Sequence, residues 1–310
     1  MKLICGVHNL TTLAGSAVTI GNFDGVHLGH QNMITRLVES SKLLGLPSVL
    51  ISFAPTPQSF FNQAQAAISS FKQKHHLLEK LGLGTHLIIR FNLPFSQLSA
   101  EAFIRQILLD QLNMRYCLIG DDFRFGSGRA GDFTLLQKFS KQYGFEVQNT
   151  QSILHNTNRV SSSSIRAYLS QGDFKAAAAM LGYEFCISGR IIRGKQLGRT
   201  IDFPTINLPI KRKISPVLGV FAVQVSVLGA SYNGVCNVGK RPTVGGENIL
   251  LEVFLFNFDQ DIYGEFCTVI FKQKIRDEQK LDSFDQLKQQ IKLDVKTAQS
   301  FFQLGAQNNQ

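Results

Sequence analysis

Two histidines three residues apart, His27 and His30, are the side chains in this sequence best placed to do chemistry. They close the stretch Val18-Thr19-Ile20-Gly21-Asn22-Phe23-Asp24-Gly25-Val26-His27-Leu28-Gly29-His30. A neutral imidazole offers one N–H donor and takes up a proton readily beside a developing oxyanion. Two of them one helical turn apart suit a chain of phosphates. An H-x-x-H pair has two other readings, an ordinary surface pair and a zinc site. Zinc takes about four ligands, and no nearby Cys or Glu completes a set.

The elements around the pair favour an anion. Val18–Ile20 is a β-branched run ending in Gly21 and Asn22, which form turns. Beyond His30, the spacing of Met33, Ile34, Leu37 and Val38 predicts an amphipathic helix. The histidines therefore fall where a strand turns into a helix. Unpaired N–H groups and the positive end of the helix dipole face outward at such a point.

Composition sets the frame. A chain of 310 residues, 44% hydrophobic and 17% charged, describes a folded protein of two domains rather than a disordered one. The net charge of +10 divides evenly about Glu184, five on each side. Nucleic-acid binders concentrate their charge on one arm or face, so that class is set aside. The one dense basic cluster is Arg190, Arg193, Lys195, Arg199 and Lys211-Arg212-Lys213, which suits a polyphosphate as well as a duplex. Five cysteines without C-x-x-C spacing read as buried free thiols in a reducing compartment, the cytoplasm. No apolar run reaches the roughly 18 residues of a spanning helix, and the first ten residues do not read as a secretory signal. All seven histidines lie at or before His155, so any base in the C-terminal part must be of another type.

Further strands are predicted at 47–53, 86–91, 116–119 and from 145, with helices at 72–81, 99–113 and 132–143. This alternation predicts a doubly wound parallel sheet, α/β in class. Ligands of such sheets sit beyond the carboxyl ends of the strands, where His27, Pro55 and Asp121 fall. Two short helices are predicted over 161–182, broken at Gly172, and mark the domain junction. Short β-rich runs at 185–193, 217–228, 232–238, 249–256 and 265–273 then predict a small antiparallel barrel. A long amphipathic helix follows over 281–302, and 305–310 reads as a disordered polar tail.

Two pattern matches fail on context. Gly126-Ser127-Gly128-Arg129-Ala130-Gly131 spells a dinucleotide fingerprint, but no strand directly precedes it and no acid lies about 20 residues on. Gly189 to Lys195 spells most of a P-loop, but Gln196 stands where Ser or Thr should hold a metal.

The turn containing Gly21, Asn22, Phe23, Asp24, Gly25, His27 and His30 resembles the G-x-F-D-G-x-H-x-G-H signature of bifunctional riboflavin kinase/FAD synthetases. That signature belongs to their nucleotidyltransferase domain, which is related to the wider H-x-G-H adenylyl-transfer superfamily. Gly120-Asp121-Asp122-Phe123-Arg124-Phe125-Gly126, with Arg129 and Gly131, is similar to a second motif of that domain. Val160-Ser161-Ser162-Ser163-Ser164-Ile165-Arg166 is similar to its S-S-T-x-I-R motif. In the second part, Gly189 through Gly198-Arg199, Phe203-Pro204-Thr205-Ile206-Asn207, Leu251 to Phe256 and Ile275-Arg276-Asp277-Glu278 resemble the riboflavin kinase module in family order. Thr56, Ser163, Phe254 and Asp202 depart from the residues frequent in the family, which has Gly where Asp202 stands.

The resemblance implies residues 1–184 as FMN adenylyltransferase and 185–310 as riboflavin kinase. It implies Glu252 as the kinase base and Thr205 and Asn207 as ligands of Mg²⁺ and phosphate. Gly194 and Lys195 would bind nucleotide, and Phe123 and Arg276 flavin. His27, His30, Asp122, Ser162, Ser163 and Arg166 would serve ATP in adenylyl transfer, with the turn Gly21–Gly25. The substrates implied are riboflavin, FMN and ATP, giving FAD, with no nucleic acid or membrane as partner. The competing reading keeps adenylyl transfer alone, Asp202 having silenced the barrel's kinase.

Overall fold

Six short runs build one sheet in the N-terminal part of the computed structural model: β1 (Lys2–Cys5), β2 (Ser16–Ile20), β3 (Ser48–Ala54), β4 (Thr85–Arg90), β5 (Met114–Gly120) and β6 (Glu146–Thr150). Their order is β1-β4-β3-β2-β5-β6, and every pairing is parallel. All residues are described except 12, 152, 156–157, 195–202, 211–213, 244–245, 281 and 308–310. Strand periodicity sends alternate side chains to opposite faces. Val18, Ile20, Val49 and Ile51 join one core with Phe103, Ile104 and Leu136. Ala17 and Leu50 join the other with Ile34, Leu37 and Leu78 from helices Leu28–Leu43 and Phe71–Lys80. The chain reverses its direction of travel between β2 and β5, so the loops leaving these two strands flank the crevice of the sheet.

After a short hairpin of β7 (Leu154–His155) and β8 (Asn158–Arg159) come helices Ser162–Gln171 and Phe174–Leu181. An antiparallel sheet follows: β9 (Cys186–Arg190), β10 (Thr205–Ile210), β11 (Gly219–Val227), β12 (Ala230–Thr243), β13 (Gly246–Leu255) and β14 (Phe266–Arg276). Its order is β10-β13-β12-β11-β14-β9. A bridge between Ile192 and Asn207 joins the two ends, so the sheet nearly closes into a barrel. Helix Phe284–Gln307 packs Val295, Ala298, Phe301 and Phe302 against Val220, Ala222, Val235 and Phe254. By packing, the chain forms two compact units, 1–65 with 69–162 and 66–68 with 163–310.

The expected parallel sheet and antiparallel barrel are both present, with local differences. β1 is a four-residue edge strand with one buried side chain, too short to show an alternation. β10 is hidden in the sequence by Pro204 and Pro209; it lies at the end of the strand order, where proline is tolerated. The helix expected over 99–113 starts on its Ser99 cap but widens into a π-helix from Phe103 to Gln111. The tail expected from 305 is helical to Gln307. The cysteines are all free, but Cys5 is exposed and Cys186 half-buried; only Cys117, Cys236 and Cys267 are buried. Burial pushes the Cys117 and Cys267 thiols up to about 12.

Candidate active sites

The turn after β2 is held in left-handed backbone at Phe23, Gly25 and Val26, with φ of 49°, 77° and 38°. Non-glycine residues in that region carry strain, which surrounding structure must hold in place. Here the anchors come from the segment entering helix Phe71–Lys80. Ser69 donates from its backbone N to Asp24 Oδ1 at 3.2 Å, and Gly25 N donates to Ser69 Oγ at 3.1 Å. Lys74 Nζ donates to the Asn22 carbonyl at 3.0 Å, and Ser162 Oγ to the Asp24 carbonyl at 3.1 Å.

This turn sets the histidines. His27, 6% exposed, caps helix Leu28–Leu43, its Nδ1 accepting from His30 N at 3.3 Å. A neutral His27 therefore carries its proton on Nε2. The His30 ring stacks on His27 with centroids 3.6 Å apart and lies 4.6 Å from Phe23. His30 Nδ1 is buried without a hydrogen-bond partner among the described residues. Burial, then the neighbouring His27 and Lys74, holds the His30 pKa well below the usual histidine value. Burial also lowers that of Lys74, opposed by Asp24. Gly29 permits the stack: a Cβ there would stand 3.2 Å from the His27 ring.

A cavity of about 570 Å³ adjoins Gly21 and Asn22. Seven phenylalanines line it, among them Phe53, Phe91, Phe95 and Phe123, with Asp122, Arg124 and Arg129 as polar groups. Aromatic walls with a few polar groups suit a flat conjugated ring. Sequence patterns point to Phe123 and Asp122 here, but not to the other rings or to Ser69 and Lys74. The only signal was a count of 25 phenylalanines without a tryptophan. Gly126–Gly131 is a tight loop closed by a bridge between Phe125 and Gly131, not a phosphate turn ahead of a helix. Among the described residues no group of three His, Cys, Asp or Glu could hold a metal, so the zinc reading of His27 and His30 has no ligand set.

Ser163 and Arg166 lie on helix Ser162–Gln171 in the second unit, where Arg166 Nε donates to the Ala66 carbonyl at 2.7 Å. Thr56 caps the short helix Pro57–Phe60 through its hydroxyl.

In the barrel, strand register brings distant residues into one row. Asn207 of β10 pairs with Glu252 of β13, Glu252 with Asn237 of β12, Asn237 with Val220 of β11, and Val220 with Arg276 of β14. Directly paired residues share a face, and neighbouring positions Val220, Val235 and Phe254 face the C-terminal helix. Asn207, 4% exposed, keeps its Oδ1 buried and without a hydrogen-bond partner among the described residues. The Asn207 amide lies so close to Gly194 that a Cβ there would overlap it. Thr205 opens β10 beside a second cavity of about 490 Å³, lined also by Asp259, Asp261 and Tyr263. Arg193 lies over the Tyr263 ring at 5.2 Å. Phe254 is half-buried against Phe203 and the helix cluster. Lys195 and Asp202 lie outside the described residues.

Fold and sites together define a two-module transferase, a nucleotidyltransferase-type α/β sheet followed by a kinase barrel. The family model for FAD synthetase matches residues 10–164 and that for riboflavin kinase 181–302. A bifunctional riboflavin kinase/FMN adenylyltransferase of Haemophilus influenzae is 44% identical, covering 97% of this chain and 99% of its own. One of Escherichia coli K12 is 43% identical over 98% and 99%. The crystal structure of a protein described as a macrolide-efflux protein from Streptococcus pneumoniae has TM-score 0.78 at 29% identity, over 95% of this chain and 97% of that one. Among the described residues no helix is long and apolar enough to cross a membrane. The chain belongs to the bifunctional riboflavin kinase/FMN adenylyltransferase family. With both modules present, a protein limited to adenylyl transfer is not favoured. Enzymes with these activities use ATP, typically with a divalent metal.

Proposed function

We propose that residues 185–310 convert riboflavin to FMN and residues 1–184 convert FMN to FAD, in the cytoplasm. In the barrel, Glu252 takes the proton of the flavin 5′-hydroxyl as that oxygen attacks the γ-phosphorus of ATP, and ADP leaves. The buried Asn207 Oδ1, without a hydrogen-bond partner among the described residues, is a hard-oxygen donor of the kind that suits Mg²⁺, and Thr205 adds a hydroxyl on the same strand. A bound Mg²⁺ would neutralise charge on the phosphates. Gly194 and Lys195 bind nucleotide, and Arg276 the flavin.

In the α/β module, an FMN phosphate oxygen attacks the α-phosphorus of ATP and pyrophosphate leaves. His27 and His30 donate to the charge that develops there, with the helix N-terminus behind them. The turn Gly21, Asn22, Phe23, Asp24 and Gly25 carries nucleotide, as do Asp122, Ser162, Ser163 and Arg166, while Phe123 stacks on the flavin. No covalent enzyme intermediate is needed, because positioning and charge stabilisation carry most of such displacements.

The observation that carries this reading is the buried His30 Nδ1, without a partner among the described residues, at a helix N-terminus whose preceding turn, at Gly21 and Asn22, lines a phenylalanine-rich cavity. The test incubates purified protein with riboflavin, ATP and Mg²⁺ and separates FMN from FAD. Wild type is expected to yield both, His30→Ala to stop at FMN, and Glu252→Gln to form FAD only when given FMN. Loss of both activities in each variant would overturn the two-site assignment.

A further inference from the structure

Arg276 is the last residue of β14 and stands in the same cross-strand row as Asn207 and Glu252. Its guanidinium is fixed from the C-terminal helix. Nε donates to Asp294 Oδ1 at 2.8 Å and Nη2 to Asp294 Oδ2 at 2.7 Å, a side-on bidentate pair. Asp294 is 4% exposed, and Gln290, one helical turn earlier, donates to its Oδ1 at 3.0 Å. A third N–H, on Nη1, goes to the Asp277 carbonyl at 3.1 Å. Of the five N–H donors of an arginine, one on Nη1 and one on Nη2 remain.

A buried ion pair is a poor stability device, because desolvation offsets most of its attraction. It is a good orienting device, since a bidentate pair fixes a planar fork in direction as well as distance. Three strand spacings separate Glu252 from Arg276 along the row, about 14 Å at 4.7–4.9 Å each. Around the curved sheet the straight-line separation is shorter than this, and a flavin with its 5′-hydroxyl at Glu252 would extend its ring system along the row toward Arg276.

We infer that Asp294, supported by Gln290, is a positioning residue for Arg276, so that the C-terminal helix is part of the riboflavin site. This rests on the kinase reading of the barrel. Asp294 touches no substrate; it holds the guanidinium so that its two remaining N–H groups face the ring end of the flavin.

The test measures riboflavin KM and kcat of the kinase step, FMN adenylylation in the same preparations, and the melting temperature. Asp294→Asn is expected to raise the KM for riboflavin about tenfold, as loss of an orienting partner does elsewhere, with kcat within about threefold and FMN adenylylation unchanged. Arg276→Lys should raise KM similarly, and the double variant no further, because the two act as one unit. Asp294→Glu keeps the charge one methylene further out, and serves if Asp294→Asn does not fold; it should still raise KM. An unchanged riboflavin KM in Asp294→Asn or Asp294→Glu, in an active wild type, overturns the inference alone, as does an additive double variant. A wild type that forms no FMN overturns the kinase reading and this inference with it.

Discussion

At the residue scale, the proposed sites keep polar atoms buried and without partners among the described residues. His30 gives up a partner for Nδ1 and Asn207 one for Oδ1, a costly state unless a ligand uses them. Gly29→Ala should show how tightly the histidine stack is set. The added Cβ would press on the His27 ring at 3.2 Å, so FAD formation from FMN should fall about 10²-fold, the scale seen when one oxyanion donor is lost. FMN formation should persist, and assaying both products checks it. A pH effect follows from the buried imidazoles. Burial, then Lys74 and His75, holds His86 down at about 3, and His30 also lies well below the usual value. The folded state keeps these rings neutral, while the unfolded chain protonates them below about 6.5. Their contribution to stability is therefore present above that pH and lost as pH falls, for His86 toward about 3. Between pH 7.5 and 5.5 the loss from His86 should be about 1.4 kcal/mol. Urea titrations at the two pH values should show a drop smaller by about that amount in His86→Gln.

At the scale of elements, the turn proposed to carry adenylyl transfer is held by two segments far apart in sequence. The β2 turn supplies the histidines, and the entry to helix Phe71–Lys80 holds it through Ser69 and Lys74. Ser69→Ala removes the hydroxyl that accepts from Gly25 N at 3.1 Å. Loss of that bond should destabilise the first unit by about 0.5–1.5 kcal/mol and slow FMN adenylylation, with riboflavin phosphorylation unchanged. Thermal melting and the paired assays test it, and an unaltered adenylylation rate would show that the turn holds without Ser69.

At the scale of the whole molecule, helices Ser162–Gln171 and Phe174–Leu181 separate the two sheets in sequence and belong largely to the second unit by packing. Phe174 lies 5.6–6.4 Å from the rings of Phe185, Phe221 and Phe271. A fragment from about Ser163 to Gln310 keeps that aromatic cluster, whereas one from Gly182 uncovers it. Losing a buried phenylalanine costs about 3–5 kcal/mol. The longer fragment is expected to melt higher and to phosphorylate riboflavin. Equal melting temperatures would show that Phe174 is dispensable to the barrel.

Much of this was legible in the sequence because it is local. The strand–turn–helix at His27, the change from alternating strands and helices to β-rich runs near 185, and the caps at Ser99 and Asp132 each depend on residues within a few positions of one another. Motif order then carried the resemblance to a two-module flavin enzyme. Other features could only be decided by tertiary structure. β10 is missing from the expected β-rich runs, with Pro204 just ahead of it and Pro209 inside it, and is established as a strand by pairing with β13. The row linking Asn207, Glu252 and Arg276 depends on strand register. The phenylalanine cavity gathers rings from Phe53 to Phe125, and Asp294 meets Arg276 only because the last helix folds back over the barrel. Sequence fixes what lies within a turn or a strand; contacts between distant segments are set by how their apolar faces are buried together.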